Sequence, residues 1–139
     1  GRPGATGVTV SVPLAIAQDE ETARQIAAGW LLAYLTRMGP LYPRMLRDRF
    51  GFAREVDALL DANRSGGAPR LPAAAERLAR DVTVMGTYDE APDVVRLWLE
   101  AGADAIDLVL PLGLPEEQLH EMLTAAAPAA APSGDEPRP

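Results

Sequence analysis

The sequence contains no cysteine and a single histidine among its 139 residues. Disulfide bonds and thiolate metal sites are therefore excluded, and a histidine-rich metal site cannot form within one chain. Basic residues are also scarce, since 13 of them face 20 acidic residues and the formal net charge is −7. Nucleic acids and anionic lipids bind positive surfaces, and no apolar run reaches the roughly 18 residues of a membrane span. The sequence predicts no nucleic-acid partner, no membrane segment and no metal.

Length and composition predict one folded domain with flexible ends. The hydrophobic fraction of 47% allows a substantial core. Residues 1–7 hold three glycines and a proline and are predicted to form a flexible stub. Residues 126–139 are rich in proline and alanine, carry no large apolar side chain, and are predicted to form a disordered tail. The predicted domain is therefore residues 8–125.

The stretch from residue 82 to residue 111 predicts a strand, a helix and a second strand joined by short loops. The β-branched run Val82–Met85 comes first, a helix from Asp89 to about Ala101 follows, and the apolar run Ala105–Pro111 completes the unit. Units of this kind build parallel sheets, whose strands are buried on both faces. The fold class that the pattern predicts is α/β.

A third strand is predicted near the start of the chain. Residues 8–16 alternate strictly between large apolar side chains and small or polar ones, which predicts a strand with two unlike faces. Pro13 cannot donate a ladder hydrogen bond, so it is predicted to mark the strand's end or an unpaired sheet edge. A long amphipathic helix is predicted to begin at Asp19 and to end before Gly39.

Three parallel strands among several helices make an incomplete sheet. The order of elements is that of a partial (β/α)8 TIM barrel, about the last three βα units with a helical insertion. Open apolar sheet edges pair readily with other chains. A partner chain, a second copy or a rearranged packing are the three ways in which the missing strands can be supplied or replaced.

Four segments, taken in order, resemble the C-terminal part of the bacterial luciferase-like flavin-dependent oxidoreductases, particularly the branch that uses a deazaflavin coenzyme. They span about Val8 to Ala125 and read VSVPLAIAQDEETAR, GPLYPRMLRDRFGFAREVDALLDA, VTVMGTYDEAPDVVRLWLEAGAD and IDLVLPLGLPEEQLHEML. The resemblance lies in all four segments appearing in sequence, because no single one is diagnostic.

The resemblance implies a cytoplasmic monooxygenase-type oxidoreductase that uses FMN or the deazaflavin coenzyme for hydride or oxygen transfer to a small organic substrate. About five opening strands of such a barrel, which carry much of the cofactor site, are not in this sequence. The implied enzyme is therefore a homo-oligomer or a complex with a chain that supplies those strands. The alternative is a non-catalytic luciferase-like module that binds a partner or a small ligand and has lost the cofactor.

Five residues are predicted to contact the cofactor. Gly86 and Thr87 precede a helix N-terminus, which favours anions such as a phosphate. The resemblance places Arg80 at about the position of a basic phosphate-binding residue. Tyr42 and Arg47, the latter in a local run of arginines, are candidates for the mouth of the cofactor site. An ordinary turn and solvated helix faces are the competing interpretations of these residues, and no catalytic residue is predicted.

Overall fold

A computed structural model describes residue 7, residues 9–111 and residues 113–130 of the chain. This part of the chain folds into a parallel sheet with helices on both faces, which confirms the predicted α/β class. The strands are β1 (Thr9–Ala17), β2 (Val84–Thr87) and β3 (Ala105–Val109). The helices are α1 (Glu20–Arg37), α2 (Leu41–Arg44), α3 (Ala53–Ala62), α4 (Glu76–Val82), α5 (Ala91–Glu100) and α6 (Glu116–Ala130). A π-helical turn, Met45–Arg49, follows α2, and a 3-10 turn, Ala73–Ala75, precedes α4.

Strand β1 is central, and its two neighbours flank different halves of it. The strands run parallel in the order β2-β1-β3. β3 pairs with the first half of β1, from Thr9 to Pro13, and β2 pairs with the second half, from Leu14 to Ala17. Within the described residues, β2 and β3 are therefore the edge strands of an open sheet.

The strand order differs from that of a barrel slice. Successive strands of a (β/α)8 barrel pair with each other, so β2 would lie between β1 and β3. Here β1 separates them, and the described residues form no barrel. The physical reason is that β1 is buried on both faces from Val12 to Ala17 and gains most from the central position.

Pro13 does not mark a sheet edge, contrary to the sequence prediction. It is buried within the central strand and pairs with Val109 at the last position of the β1–β3 ladder. Leu14, the next residue, begins the ladder with β2. The proline is tolerated because its missing N–H falls where one ladder gives way to the other.

The alternation along β1 divides the apolar residues into two clusters, one on each face of the sheet. Val12, Leu14 and Ile16 pack with α5 and α6. Ala15 and Ala17 point to the other face and pack with α1, α3 and α4. Helix α1 is less one-sided than predicted, because residues outside its buried stripe, such as Ile26 and Trp30, also pack against that cluster. No helix in the described ranges is both long and apolar enough to cross a bilayer.

Two boundaries of secondary-structure elements differ from those that the sequence predicts. Helix α4 continues to Val82, so β2 begins at Val84 rather than at Val82. Between them Thr83 is fully buried, and its hydroxyl donates to the Ala79 carbonyl at 2.6 Å, which ends the helix without an unpaired polar group. At the other end of the chain, α6 extends to Ala130, five residues into the predicted disordered tail.

Within this overlap Ala126 is buried in the cluster beneath α5 and α6, and alanine is the best helix former. Residues 131–139 of that tail lie outside the described residues. So do residues 1–6 of the predicted stub.

Candidate functional site

A crevice lies at the carboxyl ends of the strands, where α1 leaves β1 toward one face of the sheet and α6 covers the other. Open parallel sheets bind ligands at such points, since neighbouring connections diverge there. The cavity has a volume of about 380 Å³ and is open to solvent. It is lined by Ala17, Gln18, Asp19, Thr22, Tyr88, Pro115, Glu117, Gln118 and Glu121.

The crevice has an acidic lining, and a carboxylate of the chain itself caps the N-terminus of α1 there. Asp19 is the N-cap of α1, where its carboxylate accepts from the Thr22 backbone N–H at 2.9 Å and from the Thr22 hydroxyl. These hydrogen bonds, the backbone one first, lower the pKa of Asp19 and keep it ionised. A phosphate at this helix N-terminus would have to displace that carboxylate, so the crevice does not favour anions.

Tyr88 forms the side wall of the crevice. Its backbone N–H donates to the Ala17 carbonyl at 2.8 Å, which ties the loop after β2 to the end of β1. Burial raises the pKa of the Tyr88 hydroxyl, and the nearby Glu121 carboxylate raises it further. The tyrosine is therefore a neutral hydrogen-bonding group beside an acidic one, an arrangement suited to polar or cationic groups.

Gly86 and Thr87 lie at the carboxyl end of β2, the end of the strand at which the sequence predicts them. They pair in register with Ile16 and Ala17 of β1. Thr87 and Glu90 form a capping box: the Thr87 N–H donates to Glu90 Oε1 at 2.9 Å, and the Glu90 N–H donates to Thr87 Oγ1 at 3.3 Å. The Glu90 side chain also lies over Gly86, with Oε1 3.1 Å from where a Cβ would stand, so a carboxylate of the chain itself accepts from the Thr87 N–H at this helix N-terminus.

Arg80 is at the opposite end of β2 from Gly86 and Thr87. It lies in α4, before the strand begins, and its Nε donates to Glu76 Oε2 at 3.0 Å. Four residues of parallel strand span about 13 Å, so Arg80 does not reach the crevice at the carboxyl end.

Tyr42 and Arg47 lie in a third location, away from both the crevice and Arg80. Tyr42 stacks on Tyr34 of α1, with 4.9 Å between ring centroids, and burial raises the pKa of its hydroxyl. Tyr34 is about 20 Å along the helix axis from the Asp19 cap. Arg47 lies in the π-helical turn and pairs with Asp57 at 2.6 Å.

The five predicted cofactor contacts therefore lie in three separate places, and each arginine has a carboxylate partner. The residues that line the crevice, such as Asp19, Tyr88 and Glu121, were not predicted as site residues. The signal that could have identified them is their position directly after strands or at helix starts, combined with the strand order. Within the described residues, no three histidine, aspartate or glutamate side chains are arranged to hold a metal ion.

Comparison with known proteins finds no relative of this chain. No protein-family model, no curated protein and no solved structure matches the chain. The resemblance to luciferase-like oxidoreductases therefore stays a prediction from the sequence segments that carry it.

Proposed function

We propose that this chain is a non-catalytic interaction module, with luciferase-like sequence segments, whose sheet is completed at β3 by another chain. The observation that carries the proposal is that, within the described residues, no strand pairs with the outer edge of β3 and one face of β3 is uncovered. On that side of the sheet Thr9 and Ser11 of β1 pair in register with Ala105 and Asp107 of β3, and all four are exposed. Helices cover the opposite face, so this part of the sheet has one covered and one uncovered face.

The two sheet edges differ in a way that singles out β3. Val84, Met85 and Gly86 of β2 are buried, whereas no residue of β3 is fully buried. A strand with an unpaired edge and an uncovered face buries little apolar area and offers its backbone groups to a further strand. A partner at β3 would provide the missing backbone hydrogen bonds and cover that face.

The second candidate function is the oxidoreductase that the resemblance implies, using FMN or the deazaflavin coenzyme and completed by a chain with the opening strands or by a second copy. The observation that favours it is the crevice at the carboxyl ends of the strands, which Gly86 and Thr87 adjoin. Its acidic lining and the Glu90 carboxylate over Gly86 disfavour a phosphate-bearing cofactor. The module is therefore the function that we propose first.

Titration with each cofactor distinguishes the two candidates. The chain alone is expected to show no saturable binding of FMN or of the deazaflavin coenzyme, because the predicted contacts are dispersed and the arginines are paired. Quenching of cofactor fluorescence measures the binding. Micromolar affinity for either cofactor would contradict the module and favour the oxidoreductase.

Amide hydrogen exchange tests the interface at β3. The β3 amides that point away from β1 are expected to exchange far faster in the isolated chain than those of β1 from Val12 to Ala17, since water reaches an unpaired edge. The β1 amides serve as the internal control. Equal protection of both strands in the monomeric chain would show that β3 is already covered and would contradict the proposed interface.

A further inference from the structure

The negative charge of the chain is concentrated in the stretch that contains β3 and α6. Residues 97–130 contain six carboxylates and no arginine or lysine, so this stretch supplies six of the seven net negative charges. All six are on exposed residues: Glu100, Asp104, Asp107, Glu116, Glu117 and Glu121. A partner at β3 must therefore meet a negative surface.

Asp107 is the carboxylate of this surface that lies within β3. It is the third of the five residues of β3, on the uncovered face. It accepts a hydrogen bond from the Ser11 hydroxyl at 3.4 Å, a long and weak contact that leaves acceptor capacity on both carboxylate oxygens. A cationic side chain on an added strand, opposite Asp107, would form a favourable cross-strand pair.

An apolar groove continues from the carboxyl end of β3. It is lined by Leu110, which directly follows the strand, and by Leu119, His120 and Leu123 of α6, with Glu116 and Glu117 at its rim. Its volume is about 660 Å³, and it is open to solvent; Leu123 is 47% exposed. A large apolar side chain fits such a groove, and the acidic rim favours basic residues beside it.

A second copy of the chain is a poor occupant of this surface. A two-fold axis at the β3 edge would bring identical residues of both copies together, so the carboxylates around each β3 would face one another. Like charges opposite each other destabilise a strand pair. Charge complementarity instead requires a partner of opposite sign.

We infer that β3 receives an extended, basic segment of a partner protein, which adds as a strand and places one large apolar side chain in the groove between Leu110 and Leu123. This inference rests on the proposed function and specifies its partner. The added backbone hydrogen bonds supply affinity, while the basic side chains and the apolar anchor supply selectivity.

Two short synthetic peptides test the charge requirement. One alternates lysine with valine and ends in leucine, and the other has glutamate in place of each lysine. The basic peptide is expected to bind and to shift the NMR signals of β3 and of Leu119 and Leu123. Its affinity is expected to fall as salt is added. Equal binding of both peptides, or failure of the basic peptide to bind, would overturn the inference.

Matched charge reversals locate the contact. Asp107→Lys is expected to lower the affinity for the basic peptide about fivefold, because a cross-strand attraction becomes a repulsion. Asp81→Lys makes the same change at an exposed site beside the other edge strand, and it should leave the affinity nearly unchanged. Equal weakening by both variants would place the contact elsewhere. If the β3 amides exchange freely but only the acidic peptide binds, the inferred basic partner is wrong while the proposed interface at β3 stands. If the β3 amides are protected in the isolated chain, both the interface and the inferred partner are wrong.

Discussion

Leu14→Ala is expected to lower the free energy of unfolding by about 3 kcal/mol, the typical cost of truncating a fully buried leucine. Leu14 lies on the central strand, pairs with Val84 of β2 and belongs to the cluster covered by α5 and α6. Single domains are commonly stable by about 5–15 kcal/mol, so this loss is a large fraction of the total. Urea unfolding followed by circular dichroism measures it.

The matched control for this prediction is Leu97→Ala. Leu97 is 63% exposed on α5, so the same chemical change removes little buried area there. The control is expected to change the unfolding free energy by no more than about 0.5 kcal/mol. Similar losses in both variants would mean that β1 is not the centre of the fold in solution.

Arg24→Ala is expected to lower the free energy of unfolding by about 2 kcal/mol, because this side chain joins α1 to α4 and to the loop that contains Leu71. The Arg24 guanidinium pairs with Glu76 of α4, and its Nη2 donates to the Leu71 carbonyl at 2.7 Å. The arginine side chain is only 17% exposed, so its loss leaves partly buried acceptors without a donor. Arg64→Ala is the matched control: the Arg64–Asp61 pair is largely exposed, and its loss should cost less than about 0.5 kcal/mol.

Acidification supplies an independent check on the Arg24 contribution. The hydrogen bond from Arg24, followed by that from Arg80, holds the pKa of Glu76 below its ordinary value of 4.5. The stabilisation from a lowered carboxylate pKa is fully present above the ordinary pKa and is lost as pH falls through the lowered one. The difference between Arg24→Ala and the unchanged chain should therefore shrink below about pH 4.5. A difference independent of pH would contradict this account of the ion pair.

Local patterns predicted most of the elements but not how they pair. The alternation over residues 9–16, the cap at Asp19 and the box formed by Thr87 and Glu90 are short-range features, and the structure contains each of them. The loop after α3 is also closed by a short-range contact: the Asn63 side-chain amide donates to the Arg70 carbonyl, and its oxygen accepts from the Arg70 N–H, each at 2.8 Å.

The surroundings of the predicted site residues depend more on the fold. Arg80 was predicted from the resemblance and Arg47 from a local run of arginines, whereas the acids that pair with them, Glu76 and Asp57, are provided by helix geometry and by the fold. Gly86 and Thr87 were predicted at the correct end of their strand. The capping-box spacing of Thr87 and Glu90 already accounts for the Glu90 side chain that lies over Gly86.

The amino-acid order alone was enough to specify an acidic, cysteine-free α/β chain with three parallel strands, because residue periodicity and caps act over a few positions. The position of β1 between β2 and β3, the crevice beside Tyr88 and the open side of β3 arose only when distant segments packed. They depend on which strand buries most surface at the centre of the sheet, a competition among residues up to about a hundred positions apart.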